Sequence, residues 1–78
     1  MKLVLYGTDC CQLCDEALTV VEEALTGRQY ELDIVDISTL DELMEKYAYS
    51  IPVLQLDNQE LNWPFDVSDV HNFIKRVA

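Results

Sequence analysis

The stretch Lys2-Leu3-Val4-Leu5-Tyr6-Gly7-Thr8-Asp9-Cys10-Cys11-Gln12-Leu13-Cys14 decides the architecture. Leu3, Val4 and Leu5 form an unbroken apolar run that Gly7 closes, which predicts a strand covered on both faces. Asp9, followed three residues later by Gln12, is a capping-box arrangement and predicts a helix start. Leu13, Ala17, Leu18, Val21, Ala24 and Leu25 then recur at helical spacing, and Gly27 is placed to end the helix in a left-handed conformation. Tyr30, Leu32 and Ile34 alternate with Glu31, Asp33 and Val35, the pattern of a second strand. Strand, helix, strand at this length implies a right-handed crossover and a parallel pair.

Further along, Thr39 and Glu42 form another capping box, and Leu40, Leu43, Met44, Tyr47 and Ala48 keep a helical stripe that stops before Ser50-Ile51-Pro52. Val53, Leu54 and Leu56, the polar turn Asp57-Asn58, then Leu61 and Trp63 read as a hairpin whose first strand Pro52 can open. The last helix starts near Asp66, with Phe65 and Val70 as a hydrophobic staple. Its core stripe is Val70, Phe73, Ile74 and Val77, and Lys75 and Arg76 in the last turn complement the helix dipole. The order β-α-β-α-β-β-α predicts an α/β fold: one domain over residues 1–78, a four-stranded mixed sheet with three flanking helices.

Composition narrows the function. The chain has 78 residues, 15 acidic against 5 basic side chains and a formal net charge of −10. Nucleic acid and anionic membrane surfaces both demand clustered Lys and Arg, so neither is an expected partner. No apolar run approaches the roughly 20 residues of a spanning helix, and the opening residues are too short for a signal-peptide core. A cytoplasmic monomer is expected. Three cysteines bunched at positions 10, 11 and 14 are unlike the spread, even sets that staple small secreted domains, and point to chemistry or metal.

Cys11-Gln12-Leu13-Cys14 is a C-x-x-C just after a strand and at the first turn of a helix. Helix N-terminal amides favour a thiolate there, and the spacing lets the second sulfur reach the first. Cys11, nearer the helix end, is the candidate attacking thiolate, and Cys14, one turn in, the resolving one. A structural zinc knuckle would need four ligands and has only Cys10, Cys11, Cys14 and His71 to draw on. The clustered thiols are also compatible with a thiolate-ligated iron–sulfur centre, and the acidic surface with a non-catalytic binding domain. Cys10 is a candidate auxiliary thiol that could capture an oxidised Cys11 or join in exchange, or is simply a small loop residue.

The segment Leu5-Tyr6-Gly7-Thr8-Asp9-Cys10-Cys11-Gln12-Leu13-Cys14-Asp15-Glu16-Ala17, with Ser50-Ile51-Pro52-Val53 downstream, resembles the glutaredoxin branch of the thioredoxin superfamily. It is most similar to small glutaredoxin-like proteins whose motif runs Cys-x-Leu-Cys-Asp-Glu-Ala. The likeness covers essentially the whole chain. It implies a thiol-disulfide oxidoreductase acting on protein or small-molecule disulfides, with Cys11 as nucleophile and Cys14 resolving. It also implies a cis peptide bond before Pro52, opposite the cysteines, where the backbone of Ile51 could pair with an extended substrate. Trp63 and Phe65 could pave the rim of a peptide groove, or equally pack a loop against the core.

Two features of glutaredoxins are missing. No basic residue stands shortly before the first cysteine, where Thr8-Asp9-Cys10 lies, and no Gly-Gly segment follows the hairpin, where Asn62-Trp63-Pro64-Phe65-Asp66 stands. Asp9, Asp15 and Glu16 would repel anionic glutathione within the ~8 Å physiological screening length. This counts against glutathione as co-substrate, and no cofactor is expected. The same carboxylates disfavour a thiolate, have a bland role in the first helical turn, and could select a basic protein partner.

Overall fold

The computed structural model describes residues 1–9 and 11–77. In chain order the elements are β1 (Lys2–Gly7), α1 (Gln12–Ala24), β2 (Glu31–Asp36), α2 (Asp41–Tyr47), β3 (Val53–Leu56), β4 (Gln59–Asn62) and α3 (Val67–Val77), with a 3-10 turn, Ile37–Thr39, before α2. The strands form one mixed sheet in the order β2-β1-β3-β4. β1 and β2 are parallel, from Lys2 opposite Glu31 to Gly7 opposite Asp36, whereas β3 is antiparallel to both β1 and β4.

Two-residue alternation gives the sheet two differently covered faces. Leu3 and Leu5 of β1 and Leu54 and Leu56 of β3 join Ala17, Val21, Ala24 and Leu25 and the α3 residues Val70, Phe73 and Ile74 in the main core. A second, smaller cluster on α2's side holds Ile37, Tyr47 and Val53, with Tyr6 packed against it. There the Tyr6 and Tyr47 rings stack at 4.4 Å. The Tyr6 hydroxyl donates to Gln55 at 2.9 Å, and the Tyr47 hydroxyl donates to Glu60. Burial, and then the bond to Glu60, push the Tyr47 phenol well above its usual value, so it stays protonated and keeps α2 tied to β4.

Element order and pairing follow the sequence reading, and the differences lie at element ends. Gly7 does not break β1 but completes it. The first helix begins at Gln12 with Cys11, not Asp9, as its N-cap, and ends at Ala24. Gly27, at φ 81°, shapes the turn beyond it. Thr39 does not cap α2, because its hydroxyl donates to the Asp36 carbonyl in the 3-10 turn, and Leu40 occupies the cap position without a side-chain bond. Leu13, Leu40 and Met44, assigned to apolar stripes, are exposed. The start of α3 is as expected. Asp66 Oδ1 accepts from the Asp69 N–H at 2.8 Å and Asp69 Oδ2 accepts from the Asp66 N–H at 3.0 Å, with Phe65 and Val70 both buried beside this cap.

The register decides what shares an end of the sheet. β1, β2 and β4 all exit, and β3 enters, at one edge, so Thr8, Ile37, Trp63 and Pro52 gather there with the start of α1. The opposite edge carries Lys2, the Asp57-Asn58 turn and the ends of α1 and α3. Arg76 and Val77 there border the same hollow as Asp57 and Asn58.

Candidate functional site

The N-cap of α1 is itself a cysteine. Cys11 has extended backbone angles (φ −105°, ψ 106°), its carbonyl accepts the first helical bond from Asp15, and its Sγ accepts from the Cys14 N–H at 3.2 Å. A thiol sulfur thus takes the place usually held by a Ser or Asp oxygen. Cys14, one turn on, has its Sγ at disulfide distance from Cys11, with Cα atoms 5.2 Å apart, inside the range that disulfides adopt. Both residues are half-buried.

Gly7 backs the pair. A Cβ built on it would lie 2.9 Å from Cys14 Sγ and 3.2 Å from Cys14 Cβ, so the last residue of β1 has no room for a side chain. The sequence marks this only as a glycine where the strand meets the cysteine loop; the contact itself depends on how α1 folds back over β1.

On the β3 side, the Ile51–Pro52 bond is cis, and so is Trp63–Pro64, which the sequence reading did not anticipate. Pro52 is buried, and its carbonyl accepts from the Trp63 backbone N–H at 3.2 Å. Ile51 is half-buried, and its N–H donates to the Tyr47 carbonyl at 3.2 Å. Trp63 is half-buried and meets Phe65 edge-on at 5.0 Å, so the indole leans on the core while Phe65 belongs to it. Cys11, Cys14, Ile51, Pro52 and Trp63 thus come together at one end of the sheet. Tyr49 is fully exposed.

His71 is not brought to this group. Its Nε2–H donates to the Ala24 carbonyl at 2.8 Å, at the far end of α1. That is a helix length, about 20 Å, from Cys11. Cys10, the candidate auxiliary thiol, lies outside the described residues.

On the β2 side lies a cleft that the sequence reading did not foresee. It has a volume of about 330 Å³ and is lined by Gly7, Asp9, Cys14, Asp15, Ile34 and Asp36 among others. α1 packs against α3, and the edge strand is left partly uncovered: Ile34 is 63% exposed, although its partner Leu5 on the same face is 2% exposed. Asp36 accepts from both the hydroxyl and the backbone N–H of Ser38, at 2.7 and 2.9 Å, which holds its carboxyl below the usual value and keeps it charged.

A parallel βαβ unit joined to a hairpin, with a C-x-x-C capping the first helix and a cis-proline at the facing strand, defines a thioredoxin-fold protein of the glutaredoxin-like class. The family model "Glutaredoxin-like domain (DUF836)" matches residues 2–75, and the chain belongs to that family. No curated protein matches it. Among solved structures, the X-ray structure of target protein XcR50 from X. campestris is 32% identical, with a TM-score of 0.85, covering 95% of this chain and 96% of that one. Protein Ne2328 from Nitrosomonas europaea is 27% identical with a TM-score of 0.77, covering 92% of this chain and 88% of that one. Thioredoxin 1 from Thermosipho africanus TCF52B, 20% identical with a TM-score of 0.71 and covering 99% and 93% of the two chains, shows the shared fold alone.

Proposed function

We propose that this protein is a thiol-disulfide oxidoreductase in which Cys11 attacks a disulfide and Cys14 resolves the mixed disulfide. The observation that carries the reading is the placement of Cys11 Sγ as the α1 cap. It receives the Cys14 N–H and stands within bonding distance of Cys14 Sγ. The sulfur that must carry negative charge therefore meets a backbone donor and the positive end of a helix dipole.

The chemistry needs only sulfur. Cys11 thiolate displaces one thiolate from the substrate and becomes joined to the other half; Cys14 thiolate then attacks the Cys11 sulfur, releases that half and closes the Cys11–Cys14 disulfide. Two electrons pass to the substrate, and no resident cofactor takes part. Pro52 and Trp63 border the site on one side, and the Ile51 carbonyl is the group offered to an extended substrate, since its N–H is already held by Tyr47.

The Cys14→Ser protein is expected to accumulate a mixed disulfide on Cys11, read by alkylation and mass spectrometry, whereas wild type returns to free or Cys11–Cys14-bonded species. If Cys14→Ser forms no adduct with any disulfide while its Cys11 thiol still alkylates readily, the catalytic reading fails and a binding domain takes its place.

A further inference from the structure

We propose that the dithiol selects disulfides flanked by positive charge and turns away anionic ones, glutathione disulfide included, through the carboxylates of Asp9, Asp15 and Asp36 around the cleft that reaches Cys14. The inference rests on the dithiol reading above and adds the substrate class to it. Three observations carry it.

The first is the cleft. Its walls combine the apolar Leu5, Leu18 and Ile34 with Asp9, Asp15 and Asp36, and it reaches Cys14. A group seated in it lies beside the sulfur bonded to Cys11. An ammonium or guanidinium on a short aliphatic stem suits such walls, with its stem on Ile34 and its head at the carboxylates.

The second is the distribution of charge over the molecule. Of the five basic side chains, Lys2, Arg28, Lys75 and Arg76 all lie at the far edge of the sheet, where they offset Glu22, Glu23, Glu31 and Asp57. The fifth, Lys46, is held at 4.0 Å by Glu60. At the dithiol edge Asp9, Asp15, Glu16 and Asp66 are exposed and Asp36 is half-buried, and among the described residues no basic side chain neighbours them in the chain or across the sheet. Of the ten acidic side chains left over by this pairing, five therefore stand at the dithiol edge, and Asp33, Asp41, Glu42, Glu45 and Asp69 are spread over β2, α2 and α3. Fields of this kind change association rates by about 10- to 1,000-fold.

The third is that the carboxylates are not consumed by internal ion pairs. Among the described residues the one salt bridge joins Lys46 to Glu60, and Asp36 is held charged by Ser38 without losing its negative sign.

The test is a single-turnover oxidation of the full chain, reduced beforehand with a dithiol and freed of it. Three small disulfides serve as probes: dicationic cystamine, neutral hydroxyethyl disulfide and dianionic dithiodipropionate. Each gives up its S–S bond, takes two electrons and two protons from Cys11 and Cys14, and leaves as two thiols; mass spectrometry after alkylation confirms the Cys11–Cys14 bond.

The expected result at low salt is a rate constant at least about tenfold higher for cystamine than for dithiodipropionate, converging at ~1 M salt, where the screening length falls to ~3 Å. The ratio should also collapse in the variant carrying Asp9→Asn, Asp15→Asn and Asp36→Asn. Because it compares two substrates on one protein, changes in the thiol itself cancel. A pair of disulfide peptides flanked by Lys or by Glu distinguishes the source of the charge. Greater discrimination between the peptides than between the small molecules assigns a basic polypeptide, and discrimination no greater assigns a small cation.

If cystamine and dithiodipropionate react within about twofold of each other while the neutral probe closes the Cys11–Cys14 bond, charge selection is overturned and the dithiol reading stands. A ratio that survives both high salt and the triple variant overturns it as well. If even the neutral probe leaves both thiols reduced, the dithiol reading falls, and this inference with it.

Discussion

At the scale of single residues, the site is governed by a missing side chain and a misplaced one. Gly7 leaves the space that Cys14 occupies, and Cys11 supplies a sulfur where a helix start ordinarily has an oxygen. In Gly7→Ala the new methyl group meets Cys14 Sγ at 2.9 Å, closer than real Cβ contacts come, and the sulfur must move. Overpacking of this kind costs about 1–3 kcal/mol, against about 0.5–1 kcal/mol that alanine regains in chain entropy, so the net change is destabilising. We expect a melting temperature several degrees lower and, on the proposed mechanism, a longer-lived mixed disulfide on Cys11, because the Cys14 sulfur is displaced from its line of attack. Thermal melts and quenched-flow trapping check both. A variant as stable as wild type that resolves at the same rate would show that the contact carries no constraint.

At the scale of elements, the strongest local device is the reciprocal cap at the start of α3. Asp66→Ala removes the acceptor for the Asp69 N–H, and caps of this type contribute about 0.5–2 kcal/mol. For a domain of this size, 1 kcal/mol moves the melting temperature by about 4–8 °C. Asp66→Asn retains the acceptor and relieves one negative charge, so it should melt at or above the wild-type temperature; a drop equal to that of the alanine variant would mean that charge, not capping, matters there. The cap position at Asp66 and its Phe65–Val70 staple were legible in the sequence because they lie within six residues, whereas the return bond from Asp69 was not read. The order of elements and the strand pairing were legible for a similar reason, since periodicity and turn residues act locally. What stayed hidden was decided across the fold. By residue type Asp9 is a better cap for α1 than Cys11, and Thr39 no worse than Asp36 to organise the turn before α2; backbone geometry overrides residue type at both places. The exposure of Ile34 and the cleft it lines follow from where α1 packs against the rest of the fold, which no short stretch encodes. The site divides the same way: the cysteines and the Ile51-Pro52 pair stand out as motifs, whereas the role of Gly7 requires knowing what packs on it.

At the scale of the whole molecule, the surplus of negative charge has a thermodynamic side. Folding brings like charges together on a body about 34 × 24 × 19 Å, five of them at the dithiol edge, and that repulsion works against the compact state. Salt should therefore stabilise this protein: between about 10 mM and about 1 M NaCl the screening length falls from about 30 Å to about 3 Å, and the melting temperature is expected to rise. A flat or falling profile would mean that the repulsion is already relieved in the folded state. The same edge of the molecule holds Trp63, the chain's only tryptophan, half-buried against Phe65 and bonded through its backbone N–H to the Pro52 carbonyl. Indole emission from this protein therefore has a single origin, at the end of the sheet that carries Cys11 and Cys14. A change in its intensity or colour during oxidation or partner docking is a local optical readout, obtained without attaching a dye to any of the cysteines.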